Sequence, residues 1–77
     1  MKKKFYIIND KGEFFQGLDY DNRSFPIFTN EGVEYGVQFD SYDDAEHRIT
    51  EIFEDICLNG NYMYLRIVDY FVLFNYN

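Results

Sequence analysis

Asp43, His47 and Glu51 are spaced four residues apart, so on a helix they share one face. Carboxylate and imidazole at that spacing are zinc-ligand types. A zinc site also needs enclosure and an outer layer that orients its ligands, and one solvated face offers neither. His47 is therefore expected to be a surface residue. Cys57 is the single cysteine and lies beside apolar helix positions, with no His or Lys neighbour to favour a thiolate. It reads as a small buried hydrophobe rather than a nucleophile. Asp19-x-Asp21 opens like a calcium loop, but the fifth position is Arg23 and the twelfth is Asn30, so the ligand pattern fails. Gly12, Gly17, Gly32, Gly36 and Gly60 are scattered turn residues without the spacing of a phosphate cradle. One His, one Cys and no catalytic constellation lead us to expect a protein that is not an enzyme and uses no metal or cofactor.

The acids are the strongest signal. There are 14 Asp and Glu against 7 Lys and Arg, a net charge of −7. Asp40, Asp43, Asp44, Glu46, Glu51, Glu54 and Asp55 are half of all acids and fall within 16 residues. A rigid row of carboxylates can imitate nucleic-acid phosphate or dock on a basic groove. The plain alternative is a solvated helix face that keeps a small protein soluble. The cations concentrate at Lys2, Lys3, Lys4 and Lys11, so from Gly12 onward the net charge is −10. That body repels nucleic acid and anionic membranes and attracts basic proteins. The early lysines are expected to pair with acids of the same chain, or to blunt an edge strand.

A second candidate surface is aromatic. With 9 Phe and 8 Tyr among 77 residues, one small core does not readily hold them all. The segment from Asn61 to Tyr76 reads as one long strand or as a hairpin broken near Asp69. As one strand it shows Met63, Leu65, Ile67, Phe71 and Leu73 on one face, which should pack under the helix. Its other face shows Tyr62, Tyr64, Arg66, Val68, Tyr70, Val72, Phe74 and Tyr76. Tyr62, Tyr64 and Tyr70 are the candidate interface residues, for a homodimer or a foreign partner. The plain alternative is packing against the loop from Asp19 to Gly32.

These surfaces need elements to position them. Lys3 to Asn9 and Glu13 to Leu18 read as a hairpin around the turn cluster Asn9-Asp10-Lys11-Gly12. Phe25 to Thr29 reads as a short edge strand, because Pro26 cannot donate to a central ladder. Val33 to Phe39 alternates apolar with polar or small residues and reads as a further strand. Ser41 to Leu58 reads as a helix. Ser41 is the N-cap, Asp43 and Asp44 complement the helix dipole, and Ala45, Ile49, Ile52, Phe53 and Ile56 form one apolar stripe. Asn59-Gly60 is the expected stop. The order β-β-(β)-α-β predicts a single α+β domain over residues 1–77, a small antiparallel sheet of three to five strands with one helix packed on one face. The Tyr-rich face would then be bare. The opening lysines followed by Phe5 to Ile8 fall short of a signal peptide, and no run approaches a membrane span, so a cytoplasmic protein is expected.

Phe, Tyr, Met, Ile, Asn and Lys make up 37 of the 77 residues, all with AT-rich codons, which points to a low-GC bacterium or its phage. The run from Lys4 to Phe15, the run from Phe39 to Glu46 and the final apolar strand resemble small phage-encoded hairpin-plus-helix proteins. Some of these are anti-CRISPR or other anti-defence inhibitors. The likeness is one of layout and composition, and it carries no site residue across. Together with the −10 body and the clustered helix acids, it points to a non-enzymatic inhibitor in the host cell that binds a basic nuclease or nucleic-acid-binding protein, with Asp43, Asp44, Glu46, Glu51, Glu54 and Asp55 meeting its Lys and Arg. The alternatives are an oligomeric module that sequesters a nucleotide signal by stacking on the tyrosines, and a structural or assembly protein.

Overall fold

The computed structural model describes residues 2–22, 25–58 and 64–72, without the side chains of 22, 53–58 and 72. Its elements are β1 (Lys2–Asn9), β2 (Phe14–Asp19), β3 (Phe25–Thr29), α1 (Tyr42–Leu58) and β4 (Leu65–Val72). Single 3-10 turns stand at Tyr20–Asn22 and Val33–Tyr35. The strands form one antiparallel sheet in the order β3-β2-β1-β4. This is the expected α+β layout with one helix.

The hairpin between β1 and β2 closes on Asn9. Its side-chain oxygen accepts the amides of Lys11 at 3.0 Å and Glu13 at 2.9 Å, and its amide group donates to the Glu13 carboxylate at 2.8 Å. Asn suits this role because its short side chain folds back on the following backbone. β3 is an edge strand carrying Pro26, as expected. Opposite it, β2 carries a bulge between Phe15 and Gly17. The extra residue resets the alternation, so that both Phe15 and Leu18 reach the core. Gly17 sits at φ +141°, a backbone geometry that a side chain disfavours.

The core lies between sheet and helix. Ile7, Phe15, Ala45 and Ile52 are fully or almost fully buried, with Phe5, Leu18, Phe28, Val37, Phe39, Ile49, Leu65 and Ile67 around them. Ala45, Ile49 and Ile52 are the described part of the expected stripe; the side chains of Phe53 and Ile56 lie outside the described residues. Ser41 caps the helix, its hydroxyl accepting the Asp44 amide at 3.1 Å. Asn59-Gly60, Tyr62, Met63, Leu73, Phe74 and Tyr76 also lie outside the described residues.

Three expectations are corrected. Val33 to Phe39 is not a strand. Val33–Tyr35 is a 3-10 turn, and the chain from Gly36 to Phe39 then enters the gap where β1 and β2 part beyond the Ile8–Phe14 pair. There the Val37 amide donates to the Phe15 carbonyl at 2.8 Å, and Phe5 and Phe39 exchange two bonds at 2.9 and 2.8 Å. Gly36 stands at the mouth of this fork. A Cβ on it would lie 3.1 Å from the Phe14 Cβ and 3.2 Å from the Tyr6 ring.

The second correction concerns the Tyr-rich face, which is not bare at its centre. Tyr6 is 1% exposed and Ile8 is also buried. Gln38 donates to the Tyr6 hydroxyl at 3.0 Å, so the inserted segment supplies the polar partner that a buried phenol needs. Third, Phe71 is 66% exposed rather than packed under the helix. The helix-side face of β4 contributes Leu65 and Ile67 to the core, then passes to Asp69, whose charge belongs in water.

Replacing Asn9 by Ala removes three hydrogen bonds at a tight turn and is expected to cost about 2 kcal/mol. Replacing Gly36 by Ala obliges Phe14 and the buried Tyr6 ring to give way slightly and is expected to cost about 1–3 kcal/mol. Urea unfolding midpoints check both, and a Gly36→Ala protein as stable as the parent contradicts the inserted segment.

Candidate protein-docking surface

The helix turns its apolar stripe inward, so its polar residues fall on the outer side by periodicity alone. Asp43, Asp44, Glu46 and Glu51 are all exposed there, together with Tyr42, His47 and Thr50. Glu51 is held by Arg48 at 3.3 Å and stands 3.7 Å from His47. Asp43, Asp44 and Glu46 make no ion pair with any described residue. Four of the six acids singled out on the helix are therefore brought together on one outer surface. Glu54 and Asp55 continue the helix backbone, and their side chains lie outside the described residues.

The remaining charges are arranged differently. Lys3 pairs with Asp69 at 3.0 Å, and Lys4 pairs with Asp40. Lys3 and Lys4 thus bind acids of the same chain, as expected of the early lysines. They do not guard an edge, because β1 is an interior strand. Asp40 follows Phe39, so its pairing with the half-buried Lys4 ties the end of the inserted segment to β1. The hydrogen bond from Lys4, then its charge, with a smaller contribution from Lys2, holds the Asp40 carboxyl below the usual carboxylate range against a small opposing effect of burial.

The aromatic candidates separate. Tyr62 lies outside the described residues. Tyr64 is 71% exposed just before β4. Tyr70 is 43% exposed, and its ring meets Tyr6 at 5.7 Å and Phe14 at 5.9 Å between centroids. One face of Tyr70 is thereby engaged within the fold.

Sequence reading missed a cavity of about 310 Å³ between the β2 bulge and the helix. Phe15, Gly17, Leu18, Tyr20, Val37 and Arg48 line it. These residues come from four separate segments, and only the folded chain brings them together. Its walls are mixed, apolar at Phe15, Leu18 and Val37 and polar at Tyr20 and Arg48, whose guanidinium is already bonded to Glu51. Among the described residues its lining brings no acid–base pair together. His47 is exposed, and among the described residues no group of three His, Cys, Asp or Glu side chains converges on a metal position. Asp19 accepts the Asp21 amide at 3.1 Å, so the calcium-like pair makes a local turn. No described helix is long and apolar enough to cross a membrane.

The chain matches no family model, no curated protein and no solved structure.

The Asp40 carboxylate is favoured in the folded state, so its contribution is present above the ordinary carboxylate range and is lost as pH falls through its lowered pKa. Asp40→Asn should therefore be less stable than the parent at pH 7, and the two should converge in strong acid. Urea midpoints at the two pH values measure this; equal midpoints at neutral pH would show that the Lys4 pair contributes nothing.

Proposed function

We propose that this protein is a non-enzymatic inhibitor that docks its acidic helix on a basic, nucleic-acid-handling protein and occupies the place of nucleic acid. The observation that carries this reading is the outer face of α1, where Asp43, Asp44 and Glu46 are exposed on a rigid element without cation partners among the described residues. Asp43 and Glu46, three residues apart, share a face with Cβ atoms about 5–6 Å apart, and Asp44 stands beside them, a fixed anionic row rather than a mobile tail. Burial of Ala45 and Ile52 against the sheet fixes that row in orientation. A fixed row does not have to be ordered on binding, which lowers the cost of association.

The chemistry selects the partner class. Phosphate-binding grooves are lined with Lys and Arg, and carboxylates compete for the same donors. Long-range attraction between an anionic body and a cationic groove speeds capture at low salt. The class we favour is a bacterial defence nuclease of the CRISPR type, in keeping with the likeness to phage-encoded inhibitors. A cytoplasmic site of action in the host cell follows from that target.

The test is inhibition of nucleic-acid cleavage by a panel of such nucleases. Inhibition should compete with added duplex and weaken steeply as salt rises. The double variant Asp43→Lys/Glu46→Lys should weaken it at least about tenfold while the far-ultraviolet circular dichroism stays unchanged. Inhibition that ignores both salt and charge reversal rules out docking through the helix.

A further inference from the structure

The two edges of the sheet are built differently. β3 is five residues long and contains Pro26. Short length and proline are devices that discourage further pairing. β4 is eight residues long, with neither proline nor lysine between Leu65 and Val72. Its register with β1 is unbroken from Lys2–Val72 to Asn9–Leu65.

The hydrogen-bonding direction along β4 follows from its neighbour. Phe5 exchanges both backbone bonds with Phe39, and Asn9 donates its amide to Glu13, so both point away from β4. Alternation then directs Lys4, Tyr6 and Ile8 toward β4, where they face Tyr70, Val68 and Arg66. The backbone groups of Leu65, Ile67, Asp69 and Phe71 are left pointing at the outer edge. These four residues are symmetric about Val68.

The geometry points to a homodimer in which β4 pairs antiparallel with β4 of a second copy, the two-fold axis passing at Val68. This register pairs Leu65 with the partner's Phe71 and Ile67 with the partner's Asp69, and it satisfies all eight outward backbone groups of each copy. Among the described residues, any other two-fold register leaves some of them unpaired. It sets Arg66 opposite the partner's Tyr70, a cation beside an aromatic ring in a closely spaced pair. Leu65 covers the partner's Phe71, which is 66% exposed in the single copy. β4 carries one Arg and one Asp, so the edge is neutral although each chain has a net charge of −7. A two-fold axis normal to the sheet keeps both helices on the same face of one eight-stranded sheet. The inference is independent of what the helix binds.

Sedimentation equilibrium on the full chain tests it. The mass should approach twice 9.4 kDa with rising concentration, and added salt should strengthen association by screening the like-charged bodies. Val68→Lys places two ammonium groups across the axis, and Phe71→Pro removes an outward donor. Each should weaken association at least about tenfold, with circular dichroism reporting whether the fold is retained. In a Cys57→Ser background, Val68→Cys should form a covalent dimer on mild oxidation, whereas Arg66→Cys should not. A mass of 9.4 kDa at every concentration up to about 1 mM would overturn the inference. So would equal cross-linking through position 66, or association that persists in a folded Phe71→Pro protein.

Discussion

The structure depends on how the gap between β1 and β2 is filled. The two strands pair at their hairpin end and then part, which would leave buried amides and carbonyls without partners in the middle of the sheet. The chain returns after β3 and threads Gly36 to Phe39 into that opening. Val37 and Phe39 supply the backbone bonds on one line and apolar side chains to the helix-side core. Gln38, pointing the other way, bonds the Tyr6 hydroxyl. One four-residue segment therefore serves both faces of the sheet, and the Lys4–Asp40 pair fastens its end just before the helix cap at Ser41.

That arrangement also sorts the charges. Lys3 and Lys4 lie on the central strand, where Asp69 and Asp40 meet them. Arg48 turns to Glu51 on its own helix. These cations are consumed within the fold, and the helix keeps Asp43, Asp44 and Glu46 directed at solvent. A modest excess of acid in composition becomes a concentrated anionic surface through this division.

Elements governed by local rules were legible in the sequence. Ser41 with Ala45, Ile49 and Ile52 announces the helix, Asn9 to Gly12 announces the turn, and Pro26 marks the edge. Because exposure on a helix follows its period, the acidic surface was legible as well. Val33 to Phe39 was misread because alternation is blind to Gly36. The glycine is needed there by Tyr6 and Phe14, some 20 to 30 residues away in the chain. Phe71 fits the apolar pattern of its strand, but Asp69 ends the buried stretch before it. The cavity beside Arg48 could not be seen in advance, because its lining comes from several elements and its shape depends on the β2 bulge.

The order of strands in the sheet has a consequence for synthesis. Of the strands in this sheet, β1 is made first and its long partner β4 last. Until β4 emerges, Lys4, Tyr6 and Ile8 have backbone groups with nothing to bond. The inserted segment and the helix are made before the sheet they brace is complete. Pairings so distant in sequence slow folding, since loop-closure entropy is lost before the contacts reward it. Consolidation of the sheet therefore waits for β4.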